Sequence, residues 1–232
     1  MREIVFDTET TGFDPTNGDR VVEIGCVEMI DGLPTDKTYH QYINPERDMP
    51  EGAFKIHGLS TEFLKGHPVF PDVVEAFLEF VGDDAKLVAH NAEFDMRFIN
   101  WELQNAGYDP LSMDRVVDTL QIARTKFPGS PNSLDALCKR FNIENGHRTL
   151  HGALLDSEIL ADVYIELMGG RQQGMDLGAD AKSVYVPTGP KKERPKRTFA
   201  ISAEELAAHD AFLKKINDPL WLSGQDNEQP TD

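Results

Sequence analysis

Ile4-Val5-Phe6-Asp7-Thr8-Glu9-Thr10-Thr11-Gly12 is the stretch on which the fold turns. Three consecutive strand-forming apolar residues predict a buried strand that ends at Asp7, with Thr-Thr-Gly opening a loop beyond it. Period-2 geometry puts Asp7 and Glu9 on one face, about 6–7 Å apart. Two neighbouring inward carboxylates repel each other, and an isolated buried charge is costly, so they need a proton or a cation between them. By itself an Asp-x-Glu at a strand end equally suits acids that cap a turn.

Working outward, Arg20–Ile30 reads as a second strand, Asp31-Gly32 as a hairpin turn, and Tyr39–Ile43 as a third strand stopped by Asn44-Pro45. The pattern then changes to a helix over 72–81, a strand at 87–89, a helix from about Phe94 to Ala106, a strand at 116–118, and helices over 133–141 and 152–168. An antiparallel meander followed by alternating helices and strands predicts an α/β fold with layers over a mixed sheet. After Gly169-Gly170 the hydrophobic periodicity stops, and residues 169–197 read as a flexible linker ending in the basic run Lys191–Arg197. Order returns in 198–232: Ser202 and Glu205 form a capping-box signature, and Leu206, Leu213, Ile216 and Leu220 make a partial apolar stripe ahead of Trp221. A chain of 232 residues suffices for one domain, 1–168, with such an appendage.

With 40% hydrophobic and 27% charged residues and no apolar run near the ~18 needed to span a bilayer, the composition excludes a membrane-spanning chain. The N-terminus leads straight into a strand rather than a signal segment, which predicts a cytoplasmic location. Cys26 and Cys138 lie among apolar neighbours without metal-ligand spacing and read as buried, reduced thiols. The net charge of −17 is uneven: residues 1–168 carry 14 Lys+Arg against 30 Asp+Glu. So acidic a domain lacks the basic face that grips a phosphate backbone. Cations between its carboxylates, or a partner protein holding the polymer, would remove that objection.

Two more acids stand where apolar residues belong. Asp95 precedes Phe98, Ile99 and Leu103 by three, four and eight residues, and Asp156 precedes Ile159, Leu160 and Val163 by three, four and seven, so each shares the buried face of its helix. Glu93 is off that face and reads as a solvated first-turn acid. His151, five residues before Asp156, belongs to the loop ahead of the helix, from which it can swing over a site. Separate elements delivering carboxylates from apolar surroundings suit hard Mg²⁺ or Mn²⁺. Two such ions can clamp a phosphodiester while a neutral histidine removes the nucleophile's proton.

Asp7-Thr8-Glu9-Thr10-Thr11-Gly12, Asn91-Ala92-Glu93-Phe94-Asp95 and His151-Gly152-Ala153-Leu154-Leu155-Asp156 resemble the three motifs of the DEDDh 3′→5′ exonucleases. Phe127-Pro128-Gly129, Asn132-Ser133-Leu134-Asp135-Ala136-Leu137-Cys138 and Arg148-Thr149-Leu150 extend the likeness to the proofreading subunits of bacterial replicative polymerases. The resemblance implies a ribonuclease H-like fold with a mixed five-stranded sheet flanked by helices. It implies Asp7, Glu9, Asp95 and Asp156 as ligands of two divalent cations, Mg²⁺ or Mn²⁺, and His151 as general base. It assigns substrate contacts to Asp7, Glu9, Asp156, Glu51 and His57, the last in an Ile56-His57-Gly58 loop at the terminal nucleotide. Asn91 and Asp118 are either further site residues or hydrogen-bonding groups at the sheet edge.

By the same resemblance the substrate is a single-stranded or frayed DNA 3′ end, and residues 198–222 bind the polymerase catalytic subunit, with Trp221 and Leu213 as anchors. Gln172–Leu177 has the spacing of a peptide that binds the sliding clamp. Two other readings share the fold: an RNA-directed 3′→5′ exoribonuclease and a catalytically silent replisome scaffold. A free-standing RNase would not need the tail, and a silent scaffold would not need all five chemical residues.

Overall fold

The strand that starts at Arg2 does not stop at Asp7. In the computed structural model, which describes residues 1–145, 150–170 and 201–216, β1 (Arg2–Thr10) runs on through both acids. β2 (Val21–Ile30) pairs with it antiparallel, Asp7 opposite Gly25 and Glu9 opposite Glu23. The backbone ladder continues past the apolar residues, and it is the ladder that defines the strand. β3 (Leu33–Tyr42) follows a turn in which Asp31 and Gly32 both have positive φ, and it is longer than its apolar residues suggest. It is an edge strand, exposed enough to carry polar residues and to hold Pro34 opposite Met29.

α1 (Glu51–His57) and α2 (Thr61–Leu64) come next and were not legible as periodic segments, being only 7 and 4 residues long. α3 (Phe70–Val81), β4 (Lys86–Ala89), α4 (Ala92–Asn105) and β5 (Val116–Asp118) follow close to their predicted places. α5 (Thr119–Lys126) was also missed; the Asp118 side chain caps it by accepting from Leu120 N–H at 2.8 Å. α6 (Leu134–Phe141), capped by Ser133, and α7 (Ala153–Met168) complete the unit.

The sheet order is β3-β2-β1-β4-β5, with β1–β2 and β2–β3 antiparallel and β1–β4 and β4–β5 parallel. Alternation along β1 sends Ile4 and Phe6 to one face, where they pack with Phe70, Phe77, Phe98 and Ile99 of α3 and α4. Val5 faces the other way, onto Leu160, Tyr164 and Ile165 of α7. α5 and α6 close over the outer side of α7 through Ala123, Leu137, Val163 and Leu167. Cys26 and Cys138 are buried in separate clusters, neither in a disulfide.

α7 lies unusually close to the sheet. A Cβ on Gly25 would stand 2.2 Å from the Leu154 backbone nitrogen, so only glycine lets the first turn of α7 touch β2. The Ser157 hydroxyl lies 2.9 Å from the Gly25 carbonyl and 2.8 Å from that of Ala153, satisfying the crowded backbone at this contact.

The chain divides into two compact units, 1–177 and 178–232. In the second, α8 (Ala203–Leu213) carries the expected capping box: Ser202 and Glu205 each accept from the other's backbone N–H. Leu213 is buried, whereas Leu206, Phe212 and Ile216 are exposed. Gln172–Leu177, Lys191–Arg197, Leu220 and Trp221 lie outside the described residues. Among the described residues, no helix is long and apolar enough to cross a membrane.

Candidate active site

The carboxyl end of β1 is where the two faces of the sheet meet the acids. Asp7 and Glu9 project to the α7 face, and the even-numbered Thr8 projects to the α4 face. Asp95, in the first turn of α4, is buried against Thr8 and accepts from its hydroxyl at 2.7 Å and from its backbone N–H at 3.1 Å. Burial raises the Asp95 carboxyl to about 7, against the opposing effect of the Thr8 hydrogen bonds. From the other face, Asp156 in the first turn of α7 comes up beside Glu9. Ligand atoms of Glu9, His151 and Asp156 all lie within 4.8 Å of one another, and both carboxylates are buried.

His151 precedes α7, as its spacing predicted, but it is held at two points. Its backbone N–H donates to the Ile56 carbonyl at 3.1 Å, and its Nδ1 lies 3.2 Å from Asp156 Oδ2. A carboxylate on Nδ1 selects the tautomer with the proton there and makes Nε2 the basic nitrogen. The ring itself is 48% exposed, open to water and substrate.

Asp7, Glu9, Asp95, Asp156 and His151 all line one open cleft of about 800 Å³. Sharing Thr8, Glu9 and Phe94 with it is a second cavity of about 630 Å³, lined by Thr10, Phe13, Ile56 and His57 among others. His57 is buried, its Nδ1 accepting from Leu59 N–H at 3.0 Å. Burial lowers its pKa, with the charge of Glu23 pulling the other way.

Glu51 is not brought to either cavity. It sits on the outer face of the first turn of α1, 81% exposed, in an ion pair with Lys55 at 2.6 Å one turn on. The backbone turn presents Gly52 to the second cavity in its stead. Asn91 lines the first cleft, and Asp118 makes hydrogen bonds at the sheet edge. One oxygen of Asp118 accepts from both Asn91 N–H and Leu120 N–H, tying the β4–α4 turn to the start of α5, and Asn91 holds that turn at φ 66°. Glu93 is solvent-exposed, as expected.

Two residues with a part in the site, and one buried acid outside it, went unread in the sequence. Thr8 orients Asp95; its signal was the even position between two acids on a strand. Gly25 lets α7 approach; its signal was a lone glycine inside an apolar strand. Glu102 is a second buried acid on α4, but it belongs to the scaffold: Arg20 donates to both its oxygens, at 2.7 and 2.9 Å.

Acids brought from a central strand and from helices on opposite faces of a β3-β2-β1-β4-β5 sheet, with a histidine ahead of the last helix, define a ribonuclease H-like nuclease of the DEDDh type. Residues 4–164 match the family model described as Exonuclease. DNA polymerase III subunit epsilon of Rickettsia conorii is 47% identical over 224 residues, covering 93% of this chain and 96% of that one. Exonuclease X in complex with 5′ overhanging duplex DNA superposes with a TM-score of 0.57 at 28% identity, over 71% of this chain and 90% of the other. The nuclease domain of 3′hExo, a DEDDh family member bound to rAMP, shares the fold at a TM-score of 0.62 and 17% identity, over 72% and 91% of the two chains. The chain belongs to the exonuclease family, among the epsilon subunits of DNA polymerase III.

Proposed function

We propose that this chain removes nucleotides from unpaired 3′ ends of DNA for a replicative polymerase, with Asp7, Glu9, Asp95 and Asp156 as ligands of two divalent cations and His151 as general base. The observation that carries this reading is the convergence of those five side chains on one cleft of about 800 Å³. A donor set dominated by buried carboxylate oxygens fits Mg²⁺ or Mn²⁺ better than softer ions. Bound there, such ions supply Lewis acidity to the phosphodiester and a lowered pKa to a water.

The chain's own residues do the rest. Asp156 holds Nδ1 of His151, so that Nε2 takes the proton from the water that attacks the last phosphodiester. The second cavity receives the terminal nucleoside, with Phe94 at the boundary to the cleft and a neutral His57 in its wall. A domain this acidic holds DNA weakly by itself, which suits a nuclease that shares its substrate with a polymerase. Residues 198–222 are the polymerase-binding segment in this reading, α8 offering Leu206 and Phe212 to the partner. Gln172–Leu177 is a candidate peptide for the sliding clamp, and the setting of all of this is the cytoplasm.

Mg²⁺-dependent digestion of 5′-labelled matched, 3′-mispaired and RNA oligonucleotides tests the proposal. The expected result is shortening from the 3′ end, fastest on the mispaired DNA. Asp7→Ala combined with Glu9→Ala falls below about one per cent of wild type, because the metal centre contributes several kcal/mol to the rate. Faster digestion of RNA assigns the exoribonuclease reading, and retained activity in the double variant overturns the metal assignment.

A further inference from the structure

Arg124 on α5 differs from the other described arginines in having no protein partner. Arg2, Arg20 and Arg47 form ion pairs with Glu28, Glu102 and Asp19. Arg97 and Arg115 donate to backbone carbonyls, and Arg140 lies 4.0 Å over the Phe127 ring. Among the described residues Arg124 makes no such contact, is exposed, and lines the 800 Å³ cleft. Among the described residues it is the one permanently cationic side chain lining a wall that also carries five acids. Its charge is felt by His90 in the same cleft, where it adds to burial in lowering the imidazole's pKa. A long side chain left untethered beside a carboxylate cluster is poor for stability and well suited to a ligand that brings its own negative charge.

We propose that Arg124 is a substrate-positioning residue that binds the backbone phosphate of the nucleic acid strand on the upstream side of the bond being cut. The direction follows from the two cavities, and the proposal rests on the exonuclease reading above. The second cavity takes the terminal nucleoside, and the acids it adjoins take the scissile phosphate. The strand therefore leaves through the first cleft, which Arg124 lines and the second cavity does not include. A guanidinium there grips the next phosphodiester by two N–H donors, sequence-independently, and supplies the attraction that the acidic domain otherwise lacks.

The test compares two substrates of the full chain with Mg²⁺: a single-stranded DNA oligonucleotide, and the p-nitrophenyl ester of thymidine 5′-monophosphate, which has the terminal nucleoside and a scissile phosphoester but no upstream phosphate. Arg124→Ala should raise KM on the oligonucleotide by about tenfold with a smaller effect on kcat, and lose at least about fivefold more kcat/KM there than on the ester. The dependence of log KM on log salt should become shallower by about 0.7, the contribution of one single-strand phosphate contact. Arg124→Lys should recover part of the affinity. Equal losses on the two substrates, or none on either, would overturn the proposal. A wild-type chain that hydrolyses neither substrate would instead sink the exonuclease reading, and this one with it.

Discussion

Thr8 holds Asp95 through two hydrogen bonds to the same carboxylate oxygen, from its hydroxyl at 2.7 Å and its backbone N–H at 3.1 Å. The strand that carries Asp7 and Glu9 thus also aims the acid delivered by α4. Thr8→Val keeps the shape and the backbone bond and removes the hydroxyl. It should lower kcat by about tenfold, the worth of one charge-assisted hydrogen bond, while Thr8→Ser stays near wild type. Full activity in Thr8→Val, measured at saturating Mg²⁺, would show that the hydroxyl is not needed to position Asp95.

Asp95 links folding stability to pH and metal. Its carboxyl is raised by burial from 3.8 to about 7. Between those values the folded, metal-free chain keeps a proton that the unfolded chain has released, so this group's contribution to stability falls as pH rises through the window and is fully adverse above it. Asp95→Asn should therefore raise the melting temperature of metal-free protein at about pH 8 and do little at about pH 4. Mg²⁺ should stabilise the wild type at the higher pH and the variant much less. An Asp95→Asn effect that is the same at both pH values would remove Asp95 from this linkage.

Gly25→Ala forces a Cβ to within 2.2–2.4 Å of the backbone of Ala153 and Leu154. The strand cannot yield without breaking the ladder with β1, so α7 must move, at about 1–3 kcal/mol, carrying Asp156 away from Glu9. Thermal melts should show a folded, destabilised protein, and turnover should fall by at least about tenfold. A normal rate in a normally folded variant would mean that Asp156 tolerates the displacement.

His151→Gln keeps side-chain bulk and removes the base. The loss in kcat should be ~10²–10⁴-fold, with the thermal shift on adding Mg²⁺ retained. Near wild-type cleavage would leave His151 only its contacts to Ile56 and Asp156.

The two units should separate in function. Residues 1–177 by themselves should fold and digest single strands, since every residue assigned to chemistry lies there, and should not co-purify with the polymerase. Leu213 is buried and Phe212 exposed on α8, so Phe212 is tested as an anchor alongside Trp221. Phe212→Asp and Trp221→Ala should each weaken the pull-down by ~2 kcal/mol or more, and neutralising Lys191–Arg197 should have little effect. The reverse ranking would make the tail an electrostatic contact.

Local pattern determined a great deal. Apolar runs and helical periodicity place all five strands and the three long helices, and the acids at Asp95 and Asp156 were visible because charge inside an apolar stripe contradicts the helix's own amphipathicity. Tertiary structure decided what periodicity cannot carry. The length of β1 depends on pairing with β2; α1 and α2 are too short for a period, and α5, as long as the legible α6, buries only Thr119 and Ala123 and so shows no apolar stripe. The outward turn of Glu51 depends on which side of α1 faces the cavity. The site itself is assembled by long-range contact: Thr8 to Asp95 across 87 residues, and Ser157 to Gly25 across 132. A residue's chemistry is local, but the distance between two residues far apart in the chain is fixed only when the whole sheet and both its layers of helices have packed.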